Sequence, residues 1–249
     1  MKLKADIGIF GGSGFYEFLD NIKEVEIDTP YGKPSDKISI GDYRGKKVAF
    51  LPRHGRKHSI PPHRIPYKAN IYAMKELKVK TIISPCSCGS LNPKYQPGDF
   101  VVTDQFIDRT KGREDTYFEG PNVEHISSAQ PYDENLRKIT ISTIKEMGIT
   151  VHEKGTVVVI NGPRFSTKAE SNWFRQIGGD IINMTQYPEC YLALELKIPF
   201  VNIALVTDYD AGLEGRDDIK PVTMEDVLEV FNKNVKNVKK VIYKIIEKI

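Results

Sequence analysis

An α/β fold, a single domain with a central mixed β-sheet flanked by helices, is predicted by three features of the chain. Apolar runs of strand length alternate with segments of helical periodicity throughout. Several runs end in glycine-rich or polar clusters, which is where open α/β sheets place their ligands. The 249 residues contain no repeat, linker or low-complexity tract that would divide them, so residues 1–249 read as one domain.

In chain order, Ala5–Phe10 is a short buried strand running into Gly11-Gly12-Ser13-Gly14 and a helical start over Phe15–Leu19. Strand, glycine turn and helix start are the recipe for an anion site, since backbone N–H groups converge, the helix dipole adds partial positive charge and Ser13 adds a hydroxyl; a glycine turn needed only for geometry is the alternative. The dinucleotide fingerprint is broken, because Glu17 stands where its third glycine belongs. Lys37–Tyr43 and Lys47–Leu51 alternate as antiparallel strands about Arg44-Gly45. The loop that follows holds His54, His58 and His63 among Arg53, Arg56, Lys57 and Arg64. Histidines in that number suggest a metal, but the surrounding cations repel one and suit an oxyanion. A solvated basic loop is the plain alternative.

Tyr67–Leu77 has helical spacing, and Thr81–Ser84 is a buried strand followed by the small residues of Pro85–Leu91. Small residues there signal close backbone approach to a ligand or neighbour. Cys86, Cys88 and Cys190 lack the partners of a zinc site and are too few for a disulfide framework. Phe100–Ile107 reads as one strand, Asp108–Pro121 as a long polar loop, and Asp133–Met147 as an amphipathic helix. The strand Gly155–Ile160 leads to Asn161–Thr167 and a helix over Lys168–Gln176. Asp180–Asn183 is a strand, Pro188–Leu196 a helix, Asn202–Val206 a strand. Phe231, Val235, Val238, Ile242, Ile245, Ile246 and Ile249 line one face of a C-terminal amphipathic helix.

The strand at Asn202–Val206 ends in Thr207-Asp208-Tyr209-Asp210. Two carboxylates at the end of a buried strand are costly unless paired or used, so Asp208 and Asp210 are the first candidates for substrate contact; a loop whose acids simply point to water is the equal alternative.

Composition narrows the function classes. Hydrophobic content of 40% and charged content of 28% describe a soluble globular protein. A net charge of +3, from 36 basic and 33 acidic residues, implies neither a nucleic-acid nor a membrane partner. No run approaches the ~20 apolar residues of a membrane span, and Met1–Phe10 lacks the apolar core of a signal peptide. A reducing, cytoplasmic setting is expected.

Several strings stand together in order: Gly11–Gly14, Arg53-His54-Gly55, Gly89-Ser90-Leu91, Pro97-Gly98-Asp99, Asp104–Thr110, Gly162-Pro163-Arg164-Phe165, Asn183-Met184-Thr185, Pro188-Glu189 and Thr207–Asp210. From about residue 6 to about residue 230 the chain resembles the trimeric purine nucleoside phosphorylase superfamily, and most closely its 5′-methylthioadenosine phosphorylase branch. The resemblance implies a phosphorylase/hydrolase-like fold, inorganic phosphate as cosubstrate with no cofactor or metal, and a homotrimer or dimer of trimers. It implies that Ser13, Arg53, His54, Cys86, Ser87 and Thr185 meet phosphate. Met184 would lie against the ribose and Phe165 against the base, with Asp208 and Asp210 facing the purine N7 and exocyclic nitrogen. Ser166 occupies the place of a glutamate in the 6-oxopurine branch, which favours adenine. His58, Met224, Val227 and Leu228 fall at the 5′ end, and His125 at a neighbouring subunit's site. Cys86 stands where the family usually carries threonine, so the phosphate contact there is expected from backbone or Ser87. Asn161 replaces a common glutamate, and Ala211-Gly212 imply a roomier base pocket.

Three other activities define the alternatives: phosphorolysis of 6-oxopurine nucleosides or methylthioinosine, hydrolysis of the same bond, and dinucleotide-dependent oxidoreduction. The broken glycine fingerprint weighs against the last.

Overall fold

The computed structural model describes residues 3–11, 20–213, 218–219 and 222–249. The turn around Ser13 and the helix expected over Phe15–Leu19 lie outside the described residues. The strands are β1 (Ile7–Gly11), β2 (Asp20–Val25), β3 (Ile38–Tyr43), β4 (Lys46–Pro52), β5 (Thr81–Ser90), β6 (Phe100–Val102), β7 (Gln105–Arg109), β8 (Val151–His152), β9 (Thr156–Ile160), β10 (Ile181–Asn183) and β11 (Phe200–Asp208). The helices are α1 (Tyr67–Glu76), α2 (Glu134–Glu146), α3 (Lys168–Gln176), α4 (Gln186–Glu195) and α5 (Met224–Lys248). The chain is an α/β fold with mixed β-sheet, as the alternation of elements predicts.

Two compact units can be distinguished. The first comprises Met1–Ser84, Gly112–Asp133 and Tyr187–Val201. In it β1 is central, parallel to β4 on one side and to the start of β5 on the other. The hairpin β3–β4 is antiparallel about Arg44-Gly45, both with positive φ, as a tight reversal requires. Phe10, Phe50, Leu51, Ile71, Met74 and Ile83 are fully buried and form its core. β2 was not foreseen: its sequence, Asp-Asn-Ile-Lys-Glu-Val, carries charges typical of an exposed edge strand and little apolar alternation.

The second unit comprises Pro85–Lys111, Glu134–Gln186 and Asn202–Ile249. Here the end of β5 pairs antiparallel with β10, and β10, β9 and β7 run parallel. β11 pairs antiparallel with β6, which runs parallel to β8. The single strand expected over Phe100–Ile107 is two. β6 serves β11 and β7 serves β9, and the break at Thr103-Asp104 is held by Asp104, which accepts from Gly155 N–H at 2.9 Å through its side chain. β5 also exceeds the expected Thr81–Ser84: it continues through Pro85 to Ser90, buried except at Cys86 and Ser87. Of the predicted apolar face of α5, Val238, Ile242, Ile245 and Ile246 are buried, joined by Val241, while Phe231, Val235 and Ile249 are half-buried. No described helix is long and apolar enough to cross a membrane.

Candidate active site

The acid pair closes β11. Eight successive residues of that strand, Phe200–Thr207, are buried before Asp208 emerges half-buried at its end. Asp208 Oδ2 accepts from Thr207 Oγ1 at 2.8 Å, and Oδ1 accepts from the backbone N–H of Asp210 at 2.7 Å. Burial nevertheless dominates, and it pushes the Asp208 carboxyl up to about 6, with the charges of Asp210 and Asp226 adding to the rise. Asp210 is 2% exposed and sits at a φ of 49°, a left-handed turn that aspartate tolerates. Burial raises its carboxyl as well, while the Ser171 and Ser166 hydroxyls and Arg175 favour the charged form. Asp210 Oδ2 and Ser166 Oγ are both buried without a hydrogen bond of good geometry. The Asp210 oxygen can accept from a ligand donor, and the serine hydroxyl can donate to or accept from a ligand.

Gly89 makes room for this pair. A Cβ there would lie 2.8 Å from Asp208 Oδ1, 3.1 Å from Ile182 Cγ2 and 3.2 Å from Asp210 Cβ. The small-residue run after Ser84 thus does signal close approach, by the two acids themselves. Cys88, on the same strand, is fully buried with its thiol pushed well above the ordinary range, first by burial, and it packs as a small apolar side chain.

Phe165 and Ser166 lie just before α3, both half-buried. The entry to that helix is firmly built. Thr167 and Glu170 form a reciprocal capping box, and Arg164 grips Glu170 through both guanidinium nitrogens at 2.7 and 2.6 Å. One turn later Arg175 donates to Gly212 O at 3.2 Å, beyond the acids. The start of α5 is tied to the same place: Val222 N–H donates to Asp210 O at 3.0 Å. Met224 and Leu228, each 46% exposed, and the half-buried Val227 occupy its first two turns. After β10, Met184 is half-buried and Thr185 buried. The second unit therefore gathers Phe165, Ser166, Asp208 and Asp210, with the first turns of α5 joined to them through Val222.

The basic loop belongs to the first unit. Arg53 is 4% exposed, and Glu189, wholly buried, receives its guanidinium through Nε at 2.7 Å and Nη2 at 2.9 Å. Ser84 Oγ joins both partners, at 2.7 Å from Arg53 and 2.6 Å from Glu189. Glu189 was visible in sequence only as part of Pro188-Glu189; its role as the partner of Arg53 depends on a separation of 136 residues that no local pattern reveals. His54 Nδ1 lies 2.8 Å from Ile60 O, and a carbonyl cannot donate, so Nδ1 carries the proton. Burial pulls His54 down to about 4, with Arg53 and His58 pushing the same way. At neutral pH its Nε2 is therefore a bare acceptor. His58 stacks on it, ring centroids 4.4 Å apart, and is exposed. Among the described residues no group of three His, Cys, Asp or Glu side chains converges as a metal site.

The long loop after β7 is fastened in the first unit. Thr116 Oγ1 and Tyr117 N–H donate to the two oxygens of Glu195, each at 2.7 Å, and Tyr117 OH reaches Lys68 O at 2.8 Å. His125, beyond this anchored stretch, is exposed.

The fold and the acid pair at the end of β11 are those of an α/β enzyme whose ligand would sit at the carboxyl end of a strand. The chain belongs to the phosphorylase superfamily, whose family model matches residues 6–247. It is 53% identical to an S-methyl-5′-thioadenosine phosphorylase of Thermofilum pendens, over 99% of this chain and 93% of that one. It is 46% identical to a purine nucleoside phosphorylase of Streptomyces coelicolor, over 97% of this chain and 88% of that one. In structure it is similar to a mutant adenosine/methylthioadenosine phosphorylase of Schistosoma mansoni in complex with adenine. The TM-score is 0.91 at 37% identity, covering 98% of this chain and 91% of the other.

Proposed function

We propose that this enzyme cleaves 5′-methylthioadenosine with inorganic phosphate, giving adenine and 5-methylthioribose 1-phosphate, in purine and methionine salvage. The observation that carries the reading is the acid pair at the end of β11: Asp208 with its carboxyl at about 6, held by Thr207 and the Asp210 N–H, and the buried Asp210, whose Oδ2 has no hydrogen bond of good geometry. Breaking C1′–N9 leaves a cationic sugar and an electron pair on the purine. Asp208 delivers a proton to N7 and relieves the charge on the departing base. Asp210 accepts the N–H of a 6-amino group; its carboxylate would repel the O6 of hypoxanthine or guanine. A phosphate oxygen forms the new bond to C1′ as the old one breaks, and the anion stabilises the sugar cation.

The resemblance assigns phosphate to Ser13, Arg53, His54, Ser87 and Thr185. Arg53 supplies charge that Glu189 holds in place. The bare Nε2 of His54 suits the P–OH proton of hydrogen phosphate, and the hydroxyls of Ser87 and Thr185 suit its oxygens. At Cys86, where the family usually carries threonine, the phosphate contact comes from the backbone or from Ser87, because a thiol is a poor donor. Met184 contacts the ribose and Phe165 the base, and the apolar start of α5 (Met224, Val227, Leu228), with His58, receives the methylthio end. His125 reaches a neighbouring subunit, and residues 1–249 act as one domain, a reading supported by a family match that spans both units. The enzyme works in the cytoplasm as a homotrimer or dimer of trimers, needing no metal or further cofactor.

The 46% identity to a relative named for purine nucleosides favours one second reading, phosphorolysis of 6-oxopurine nucleosides. Release of base from methylthioadenosine, methylthioinosine, adenosine and inosine, each with and without phosphate, tests both. The expected result is phosphate-dependent cleavage with methylthioadenosine fastest. Preference for inosine would select the second reading, and cleavage without phosphate would overturn both.

A further inference from the structure

Asn202 is an amide in the middle of an apolar strand. It is wholly buried between Val201 and Ile203, where an unmatched amide would be strongly destabilising. Both its ends are met. Its Oδ1 accepts from the buried Thr103 Oγ1 at 3.1 Å, and its Nδ2 donates to Cys86 Sγ at 3.3 Å. A second buried amide converges on the same sulfur: Asn183 Nδ2 donates to Cys86 Sγ, also at 3.3 Å. The orientation of Asn183 is set by its other end, where Oδ1 receives the backbone N–H groups of Thr185 and Gln186 at 3.4 Å each. Backbone N–H can only donate, so the amide nitrogen must face the sulfur.

These bonds make one line of contacts, from Thr103 just after β6 through β11 and β5 to the residues after β10. We infer that Asn202 is a positioning residue: through Cys86 and Asn183 it holds the Met184-Thr185 turn in the conformation that grips substrate. A buried polar network whose members are all matched specifies one geometry, because any slip leaves an amide unpaired. The acceptor at position 86 is the hub. Sulfur serves, as would a hydroxyl oxygen, whereas a methyl group cannot. This assigns Cys86 a task besides any contact with the anion, namely to receive two donors that arrive from different strands.

The inference rests on the proposed contact of Thr185 with phosphate, and the experiment separates the two. Steady-state KM for phosphate and kcat are measured with methylthioadenosine for wild type, Asn202→Ala, Cys86→Ala, their double variant and Cys86→Ser, alongside thermal unfolding. Loss of the network is expected to raise the phosphate KM by about five- to tenfold in either alanine variant, the scale of a net hydrogen bond. The double variant should be no worse than Cys86→Ala alone, because Asn202 acts through the sulfur. Cys86→Ser, which keeps an acceptor, should recover most of the loss. Thr103→Val, which removes only the outermost link, replaces Asn202→Ala if that variant does not fold. Multiplying effects in the double variant, or lower thermal stability with an unaltered phosphate KM, would overturn the network. Wild-type cleavage independent of phosphate would instead overturn the functional reading beneath it.

Discussion

At the scale of single residues, the proposed reaction asks most of Asp208. Asp208→Asn keeps the side chain's shape and its acceptor for Asp210 N–H but has no proton to give. It should lower kcat/KM by about 10²–10⁴, the usual worth of a general acid, and near-normal turnover would exclude the role. The same substitution tests the electrostatics. Because the folded chain raises this carboxyl from 3.8 to about 6, it binds a proton there that the unfolded chain has lost. Stability from this group therefore falls as pH rises across that window and stays lower above it. His54 runs the other way: lowered from 6.5 to about 4, it favours the folded chain as pH rises across a similar range. Asp208→Asn removes the first slope and leaves the second. In urea unfolding it should be more stable than wild type at pH 8, by up to about 3 kcal/mol, with the difference nearly gone at pH 4; equal stability at pH 8 would show that the buried carboxyl carries no such cost. For Asp210, an amide in its place presents a donor to O6. Asp210→Asn should move the ratio of inosine to adenosine turnover toward inosine by at least about tenfold, and an unmoved ratio would detach this residue from base choice.

At the scale of elements, β5 matters as much as β11. Gly89 lets the acid pair approach the strand, and a methyl group there would intrude to 2.8 Å on Asp208 Oδ1. Ile182 and Asp210 crowd the same space at 3.1 and 3.2 Å, so the clash cannot be relieved by a flexible side-chain end alone. Gly89→Ala should cost about 1–3 kcal/mol in stability, the range for overpacking, and should lower kcat/KM along with it. A variant as stable and active as wild type would mean that the strand gives way easily. Much of this scale was readable in the residues. The bounds Lys168–Gln176 agree with the structure, where Thr167 and Glu170 form a capping box, and the apolar residues from Phe231 onward reveal α5 by recurring every three or four positions, although the helix begins earlier, at Met224. β5 was cut short at Ser84 because proline and small residues look like a loop, and only pairing with β10 shows that the strand continues. β6 and β7 merged in the sequence because a change of strand partner leaves no trace in hydropathy.

At the scale of the whole molecule, the proposal that the enzyme is a homotrimer or dimer of trimers, with His125 reaching a neighbouring subunit, is open to direct test. Light scattering on the purified enzyme should give a mass three or six times that of the chain; a monomer with full activity would remove His125 from any neighbouring site. The sequence alone determined the α/β class, the order of most elements, the acid pair at the end of a buried strand and the family, because hydrophobic period, glycine turns and ordered motifs are local signals. Tertiary structure decided what those residues experience. Burial sets the Asp208 carboxyl at about 6, a carbonyl at residue 60 chooses the tautomer of His54, Glu189 holds Arg53, and two amides from separate strands meet on Cys86. Each of these depends on desolvation or on partners brought together by folding, and neither is written in neighbouring letters of the chain.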